Sequence, residues 1–307
     1  DGKMSLGLSV YGLSVKPSRI NATGLQLKKI LKASGRGVRV IPNKTPDLSS
    51  AQVLHNNLTG ARAWELLFVC DGKQTYIAQT TNVQDITAYA SRDQARPKRD
   101  ARVGMLPPKL AQIILNLAVN KQTVDSRQQT VLDPFCGTGV VLQEALLMGY
   151  KVYGTDLEPR MVEYSKTNLD WLSSRYNLEP STYNLSVGDA TNHLWQQFDV
   201  IAAETYLGRP FSALPSPQIL NDVMQDVDTI HRKFLKNVAS QTKPGFKMCI
   251  AVPAWKTPQG FKHLKMLDSL EEFGYTRLSF AHVRNQELIY HRPEQIVGRE
   301  LVVLIRK

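Results

Sequence analysis

The sequence predicts an α/β fold in which a parallel sheet follows a smaller N-terminal α+β domain. Residues 131–139 (VLDPFCGTG) join an apolar strand to a carboxylate and a turn with two glycines, and residues 140–148 have the apolar spacing of a helix packed on a sheet. Residues 151–155 then form a second apolar run that ends beside Asp156. Strands that alternate with helices in this way indicate βαβ units and therefore a parallel sheet.

The turn between the first strand and its helix has the features of a nucleotide-binding loop. Gly137 and Gly139 lack a Cβ, so the backbone can approach a ligand closely. Asp133 and Asp156 are 23 positions apart, near the roughly 20-residue spacing between a glycine loop and a ribose-binding acid. We therefore expect a ligand with a ribose, the alternative being an ordinary tight turn that binds nothing.

The first 82 residues predict a small module of mixed sheet and two helices. Asp71-Gly72 lies between two apolar runs, which is a strong hairpin signal. The expected strands are 3–14, 37–41, 64–70 and 73–80, and the expected helices are 21–33, which is basic and amphipathic, and 47–60.

A basic connector, residues 83–104, is expected next. It is too polar for a core, so it is either a solvated linker or a strap whose cations contact phosphates. A helix with prolines in its first turn should then run from about 107 to 119. The cations of the connector are Arg92, Arg96, Lys98, Arg99 and Arg102.

Two further strands should end in acids at the same edge of the sheet. Asp189 follows the strand 183–187 and Glu204 follows the strand 198–203. Ligands of parallel sheets bind at the carboxyl ends of the strands, although an Asp after a strand can also simply cap a turn. The remaining elements are expected as helices over 159–175, 217–239 and 260–273, and strands over 246–252, 276–283, 287–291 and 300–305.

Composition excludes several classes of protein. The chain of 307 residues is 42% hydrophobic and 21% charged, as in soluble globular proteins, and its length predicts two domains. No apolar stretch approaches the roughly 18 residues of a membrane span, and no signal peptide is recognisable. Three scattered cysteines fit neither a disulfide framework nor a zinc site, the histidines lack metal-site spacing, and we expect a cytoplasmic protein without metal. Because the sequence starts at Asp1 and not at Met, we expect that an upstream segment is missing from it.

The net charge of +11 is unevenly distributed. Residues 1–120 contain 17 Lys and Arg against 7 Asp and Glu, whereas the rest contains 21 against 20. A basic domain joined to a nearly neutral one is typical of a polyanion-binding module on a catalytic module. The alternative is a basic surface that only aids solubility.

The residues now support a resemblance to a known family. Asp133-Pro134-Phe135-Cys136-Gly137-Thr138-Gly139 resembles the S-adenosylmethionine loop of amino-methylating class I methyltransferases. The stretch from Tyr89 through 105–110 to that loop, with the closing stretch 292–300, is similar to the tRNA guanosine N2-methyltransferases that join a THUMP domain to a class I fold. The resemblance covers most of the chain and is weaker before residue 83.

The resemblance implies a fold and a cofactor. A THUMP-like RNA-binding domain is expected over 1–82, and a class I, Rossmann-like methyltransferase domain with a seven-stranded sheet over 105–307. The acid Asp156 would bind the ribose hydroxyls, Asp189 the adenine amine, and the helix near Pro107 would close over the methionine part. The implied S-adenosylmethionine-binding residues are Pro107, Asp133, Pro134, Phe135, Cys136, Gly137, Thr138, Gly139, Asp156, Leu157, Asp189, Ala190 and Glu204.

The predicted catalytic segment departs from the family. The amino-methylating families have an acid or amide, two prolines and an aromatic residue after the fourth strand, whereas residues 204–208 here contain no proline. Glu204 can stand for the acid and Tyr206 for the aromatic residue, with Thr205 between them. An exocyclic amine is a poor nucleophile because its lone pair is delocalised, so a carboxylate that accepts its N–H and an aromatic face that holds the extruded base would favour attack.

These features give one leading hypothesis and two alternatives. The leading hypothesis is an N-methyltransferase of structured RNA, with guanine N2 of tRNA as the target; the alternatives are adenine-N6 methylation of RNA or DNA and an inactive RNA-binding partner. We expect RNA as the partner and no membrane, and leave a small activator protein or a homodimer open. The expected RNA-binding residues are Lys28, Lys29, Lys32, Arg92, Arg96, Lys98 and Arg99.

Overall fold

A computed structural model describes residues 3–100, 105–119, 129–178 and 183–307. The chain divides into two compact units, Asp1–Ser91 and Arg92–Lys307. The division falls inside helix α3, Ile86–Gln94, so the residues expected to form a connector are shared between the units. Each unit is described by itself.

The N-terminal unit contains a four-stranded mixed sheet with the order β2-β1-β3-β4. Strand β1 is parallel to both of its neighbours, and β3 and β4 form the expected antiparallel hairpin around Asp71-Gly72. Gly72 has a φ of +91°, which favours glycine, and Asp71 Oδ1 accepts the backbone N–H of Lys73 at 2.9 Å. The elements are β1 Met4–Tyr11, α1 Pro17–Ala33, β2 Val38–Val40, α2 Ser50–His55, β3 Ala63–Cys70 and β4 Thr75–Gln79.

Both faces of this small sheet are covered. Helix α1 packs Ile20 against Leu6 and Leu8 of β1, while Leu48 and Leu58 pack on the opposite face. The apolar alternation of β1 therefore serves two cores, and the predicted α+β module with two helices is confirmed.

The second unit contains the larger sheet, whose main path of seven strands has the order β11-β13-β9-β8-β5-β6-β7. Strands β5 to β9 are mutually parallel, and β13 is antiparallel to β9. The predicted Rossmann-like α/β sheet is thus confirmed. Its elements are α4 Pro108–Ala118, β5 Thr130–Asp133, α5 Val140–Leu147, β6 Lys151–Asp156, α6 Pro159–Tyr176, β7 Tyr183–Val187, β8 Val200–Glu204, α7 Pro217–Gln241, β9 Lys247–Thr257, β10 Gly260–Lys262, β11 Tyr275–Arg277, β12 Ile289–Tyr290 and β13 Val297–Arg306.

The core of this unit lies on both faces of the sheet. Val131 packs with α4, α5 and α6 on one face, and its neighbour Leu132 packs with Phe234 and Leu235 of α7 on the other. Because successive residues of a strand point to opposite faces, a strand buried on both sides must be apolar throughout. This explains the continuous apolar runs of the sequence.

The predicted helix 260–273 is wrong in its first part. Residues of β10 pair antiparallel with β9, with Phe261 opposite Lys256, across a turn in which Gly260 has a φ of +117°. Only Lys265–Phe273 is helical, as a 3₁₀ helix interrupted at Ser269. The strands expected over 276–283 and 287–291 shrink to β11 and β12 because they pair only briefly with β13.

The expectation of exposed phosphate-binding cations at Arg92 and Arg96 is wrong. Arg92 is buried, and its Nε donates to Glu144 Oε1 at 2.7 Å on helix α5. Arg96 is 3% exposed, and within the described ranges none of its guanidinium nitrogens has a hydrogen-bond partner. Burial lowers the pKa of Arg96. Both side chains are therefore buried and not available to phosphates.

The other cations of the expected strap differ from one another. Lys98 is half-buried, with its Nζ 5.3 Å from the centre of the Tyr164 ring, and Arg99 is exposed. Arg102 and the rest of 101–104 lie outside the described residues. Among the described cations of this segment, Arg99 is thus the one whose side chain is exposed.

The two buried arginines should respond in opposite ways to removal of their charge. Arg92→Met leaves Glu144 as a buried carboxylate without its guanidinium and should lower the free energy of unfolding by about 3–5 kcal/mol. Arg96→Met removes an unpaired buried cation and should leave stability unchanged or raise it by about 1–3 kcal/mol. Urea denaturation of both variants measures this, and a loss of stability in Arg96→Met comparable to that in Arg92→Met would contradict the assignment.

Candidate active site

Three carboxylates converge at the carboxyl edge of the large sheet. Asp133 is the last residue of β5, Asp156 of β6 and Glu204 of β8, and β5 pairs in parallel with both neighbours. They border a cavity of about 680 Å³, a volume typical of small-molecule sites. The cavity is lined by Asp100, Met105, Leu106, residues 133–138, Val140, Val141, residues 156–158, Arg160, Met161, residues 189–191, residues 204–208, Ile230 and Lys233.

The glycine loop is held in place by hydrogen bonds within the protein. The Gly137 N–H donates to Asp156 Oδ2 at 2.8 Å, and Ser165 Oγ of helix α6 donates to the Gly137 carbonyl at 2.8 Å. Asn168 Nδ2, also on α6, donates to the Thr138 carbonyl at 2.8 Å. Gly137 has a φ of +51°, which favours glycine. The loop therefore presents a fixed backbone to the cavity.

Gly139 and Pro107 were expected to bind the cofactor, but neither lines the cavity. Gly139 has a φ of +79°, and a Cβ on it would come within 2.9 Å of Ser165 Oγ, so this glycine allows α5 and α6 to pack closely. Pro107 precedes α4, and its carbonyl accepts the N–H of Leu110 at 2.9 Å. The neighbouring residues Met105 and Leu106 line the cavity instead.

The electrostatics of the cavity favour a cation. Asp133 is 2% exposed, and burial raises its pKa well above the ordinary value, with Asp156 and Glu204 adding to the rise. Burial also raises the pKa of Asp156, against two backbone N–H donors. Among the residues that the structure describes, six acids line the cavity, compared with two cations, Arg160 and Lys233. A positively charged ligand would relieve this repulsion.

Asp189, the acid expected after the strand 183–187, lies in a turn at the same edge of the sheet. Asp189 Oδ1 accepts the backbone N–H of Thr191 at 2.9 Å, so it caps this turn as well as lining the cavity. Ala190 beside it is buried, and Leu157 lines the cavity with 64% of its side chain exposed. An exposed leucine next to carboxylates provides an apolar surface for a flat ring.

Glu204 and Tyr206 both reach the cavity. Arg299 of β13, which is itself buried, donates from Nε to Glu204 Oε1. Burial raises the pKa of Glu204, and the Arg299 guanidinium opposes this rise. Tyr206 is 44% exposed and is therefore available to a second ligand. A carboxylate and an aromatic face thus stand together at one side of the cavity.

Thr205, the remaining residue predicted to be catalytic, lines the cavity, and its hydroxyl is bonded within the protein. Its residue is 3% exposed, and Oγ1 lies 3.0 Å from the Ala251 carbonyl and 2.7 Å from His231 Nε2. His231 Nδ1 donates to the Val227 carbonyl, and burial lowers the pKa of His231 to about 4, so the ring is neutral near pH 7. Thr205 therefore anchors the segment 204–208 to β9 and α7.

Several residues of the site were not predicted from the sequence. Arg299 lies in the closing stretch that carries the family resemblance, but 95 positions separate it from Glu204, and no local pattern joins the two. Arg160 and Met161 face the cavity from the start of α6 because that helix begins directly after β6. Strand-end position could have indicated these two residues.

Two structural features bear on metals and membranes. Within the described part of the chain, no three metal-ligating side chains cluster. No helix in the same ranges is both long and apolar enough to cross a bilayer.

Comparison with known proteins agrees with this geometry. A family model described as a methyltransferase domain matches residues 125–293, and a model described as a DNA methylase matches residues 60–167. The chain is 33% identical over 152 residues to the tRNA (guanine(10)-N2)-dimethyltransferase of Pyrococcus abyssi, covering 48% of this chain and 39% of that protein. It is 31% identical over 164 residues to the enzyme of the same name from Methanothermobacter thermautotrophicus, covering 52% of this chain and 43% of that protein.

The chain thus spans about two fifths of the length of these curated relatives. Among solved structures, a TehB-like SAM-dependent methyltransferase from Corynebacterium glutamicum is 16% identical, with a TM-score of 0.40 over 73% of this chain and 97% of that chain. That likeness is weak. The first family model, however, covers more than half of the chain and includes every strand-end acid of the cavity. The chain therefore belongs to the methyltransferase-domain family.

Proposed function

We propose that this protein transfers a methyl group from S-adenosylmethionine to an exocyclic amine of structured RNA, with guanine N2 of tRNA as the target. The observation that carries the proposal is the position of Glu204 and Tyr206 beside an acid-lined cavity with a preformed glycine loop. The names of the curated relatives support the choice of base and RNA.

The residues of the cavity fit this cofactor. S-adenosylmethionine supplies a methyl group on a positively charged sulfur, and it also has an ammonium group, a ribose and an adenine. Asp133 and Glu204, whose pKa values burial raises, would lie near the positive charges of the cofactor. Asp156, whose oxygens each accept one backbone N–H at 2.8–3.0 Å, retains lone pairs for ribose hydroxyls. Leu157 and Ala190 would flank the adenine.

Glu204 and Tyr206 would prepare the amine. A carboxylate oxygen that accepts the amine N–H favours the geometry for attack and stabilises the positive charge that develops on nitrogen. The exposed ring of Tyr206 would stack on a base taken out of its helix. Thr205, held by Ala251 and His231, would fix both side chains at the edge of β8.

We propose that the N-terminal unit supplies RNA affinity. Helix α1 is basic, with Lys29 and Lys32 exposed and Lys28 half-buried. Arg99 of the second unit is also exposed. Because each cation near a phosphate releases counterions from RNA, such residues increase affinity without reading sequence.

Two alternative functions compete with this proposal: adenine-N6 methylation and an inactive RNA-binding partner. The match of residues 60–167 to a DNA methylase model supports methylation of adenine N6 by the same site. The absence of prolines from residues 204–208 suggested an inactive partner, but the bonds of Thr205 to Ala251 and His231 provide another means of stiffening that segment. Nucleoside mass spectrometry of tRNA and DNA incubated with the protein separates the three activities.

Asp156→Ala should weaken S-adenosylmethionine binding by about 1–3 kcal/mol, because the ribose hydroxyls and the Gly137 N–H both lose an acceptor. Isothermal titration calorimetry measures the affinity. Asp226→Ala is the control, since Asp226 is exposed on α7 and does not line the cavity. Equal affinities for the two variants would remove Asp156 from the cofactor site.

Glu204→Gln should lower the rate of methyl transfer by about 10²-fold or more, because the amide keeps the shape of the side chain but loses its charge. Tyr206→Ala should instead cost about 1–3 kcal/mol through lost stacking of the base. Single-turnover transfer of labelled methyl to an unmodified tRNA transcript measures both. A Glu204→Gln protein as fast as the parent would show that Glu204 does not orient the amine.

The double change Lys29→Glu and Lys32→Glu should weaken tRNA binding and reduce the slope of log affinity against log salt by up to about 2, without changing cofactor affinity. The matched control is Lys151→Glu with Lys243→Glu, two exposed lysines at the opposite, amino edge of the large sheet. Filter binding over a range of salt concentrations measures both slopes. Equal losses in the two double variants would mean that α1 has no specific role.

A further inference from the structure

Arg299 stands out among the groups that the proposed chemistry does not use. It is 3% exposed, lies on β13, and donates from Nε to Glu204 Oε1. Of the three acids that end β5, β6 and β8, Glu204 is the one with a basic partner within the described ranges; Asp133 and Asp156 accept only backbone N–H groups. A buried cation is thus paired with one of the three acids at the carboxyl edge of the large sheet.

The strand register explains how the two side chains meet. Glu204 of β8 pairs with Ala251 of β9, and Arg299 of β13 pairs with Pro253 of β9. Residues 251 and 253 are two positions apart, so they face the same side of the sheet. The guanidinium therefore reaches across β9 to the carboxylate on one face of the sheet.

The contact occupies one oxygen of the carboxylate and not the other. Glu204 Oε1 accepts from Arg299, whereas Oε2 has no hydrogen bond within the described residues and is not among the buried unpaired atoms. The side chain is 16% exposed and lines the cavity. Oε2 is therefore the oxygen that a substrate amine can reach.

Stability is a poor explanation for this pair. Burying two opposite charges costs desolvation that their attraction repays only partly, so a buried ion pair is often no more stabilising than apolar packing. An ionised Glu204 also repels Asp133, whose pKa it helps to raise. Burial raises the pKa of Glu204, Arg299 opposes this rise, and a protonated carboxyl would be a weaker acceptor for an amine.

We propose that Arg299 is a positioning residue that keeps Glu204 ionised and holds its carboxylate with Oε2 toward the target amine. This inference rests on the proposed function of Glu204 as the group that accepts the amine N–H. It assigns to β13, the strand farthest from the glycine loop in sequence, a direct part in preparing the acceptor site.

The test compares pH profiles of single-turnover methyl transfer to a tRNA transcript. Without Arg299 the carboxyl of Glu204 remains buried with no cation, so Arg299→Gln should move the acid limb of the profile upward by about one pH unit or more. At a pH below the acid limbs of both proteins, Arg299→Gln should transfer the methyl group about tenfold or more slowly than the parent. Arg299→Lys keeps a cation but not the planar fork, so its limb should stay near that of the parent while its plateau falls several-fold.

A matched control is available on the neighbouring strand β11, whose Arg277 pairs with Glu300 of β13. Arg277 Nη1 donates to Glu300 Oε1 at 2.7 Å in a second buried pair that does not line the cavity. Arg277→Gln should lower stability without moving the acid limb. An acid limb in Arg299→Gln at the pH of the parent would overturn the proposal. If Arg299→Gln does not fold, Arg299→Lys decides, because an unchanged plateau and limb would show that the fork has no positioning role.

Two additional measurements separate this inference from the proposed function. In the Glu204→Gln background, Arg299→Gln should add no further loss of rate; an additional tenfold loss would show that Arg299 acts elsewhere. Titration of ¹³C-labelled glutamate carboxyls by NMR, with the Glu204 signal identified by its absence from Glu204→Gln, requires no RNA substrate. If the titration midpoint of Glu204 is the same in Arg299→Gln as in the parent, the inference is refuted. If that midpoint is shifted but the protein methylates no tRNA, only the proposed function is refuted.

Discussion

The convergence of carboxylates at one edge of a parallel sheet is the constraint on which the site depends. Asp133, Asp156 and Glu204 end neighbouring strands, so the backbone itself brings three negative charges together. Burial makes this costly, as the raised pKa values of all three acids show. Two of the acids accept hydrogen bonds from backbone N–H groups, and the third accepts one from a guanidinium. A cationic ligand would complete the compensation.

The same sheet edge is reinforced from both sides by fixed segments. The glycine loop is bonded to α6 through Ser165 and Asn168, and the segment 204–208 is bonded to β9 and α7 through Thr205. Hydrogen bonds to neighbouring elements can immobilise a turn as a proline pair does, by removing alternatives to one backbone conformation. The missing prolines after β8 therefore do not imply that the segment 204–208 is loose.

Buried arginines have different roles in the second unit. Arg92 pairs with Glu144, which also accepts from Gln112 Nε2 at 2.6 Å, so these three side chains form one hydrogen-bonded group within the second unit. Arg299 pairs with Glu204 at the cavity. Arg96 is buried without a hydrogen-bond partner in the described ranges, and we have no physical account of its burial. Cations that a composition count assigns to a basic surface can thus be part of the core.

The sequence by itself determined the elements and the acids at their ends. Short strand-like segments that end in Asp133, Asp156 or Glu204 predicted buried parallel strands with a ligand site at their carboxyl edge, because that pattern reflects local geometry and burial on both faces. Asp71-Gly72 likewise specified a hairpin. Only the tertiary structure decided which side chains meet across long separations. The pairs Arg92–Glu144 and Arg299–Glu204 are 52 and 95 positions apart, and the β10 hairpin depends on pairing with β9. Such contacts are set by strand order and packing, which local periodicity does not encode.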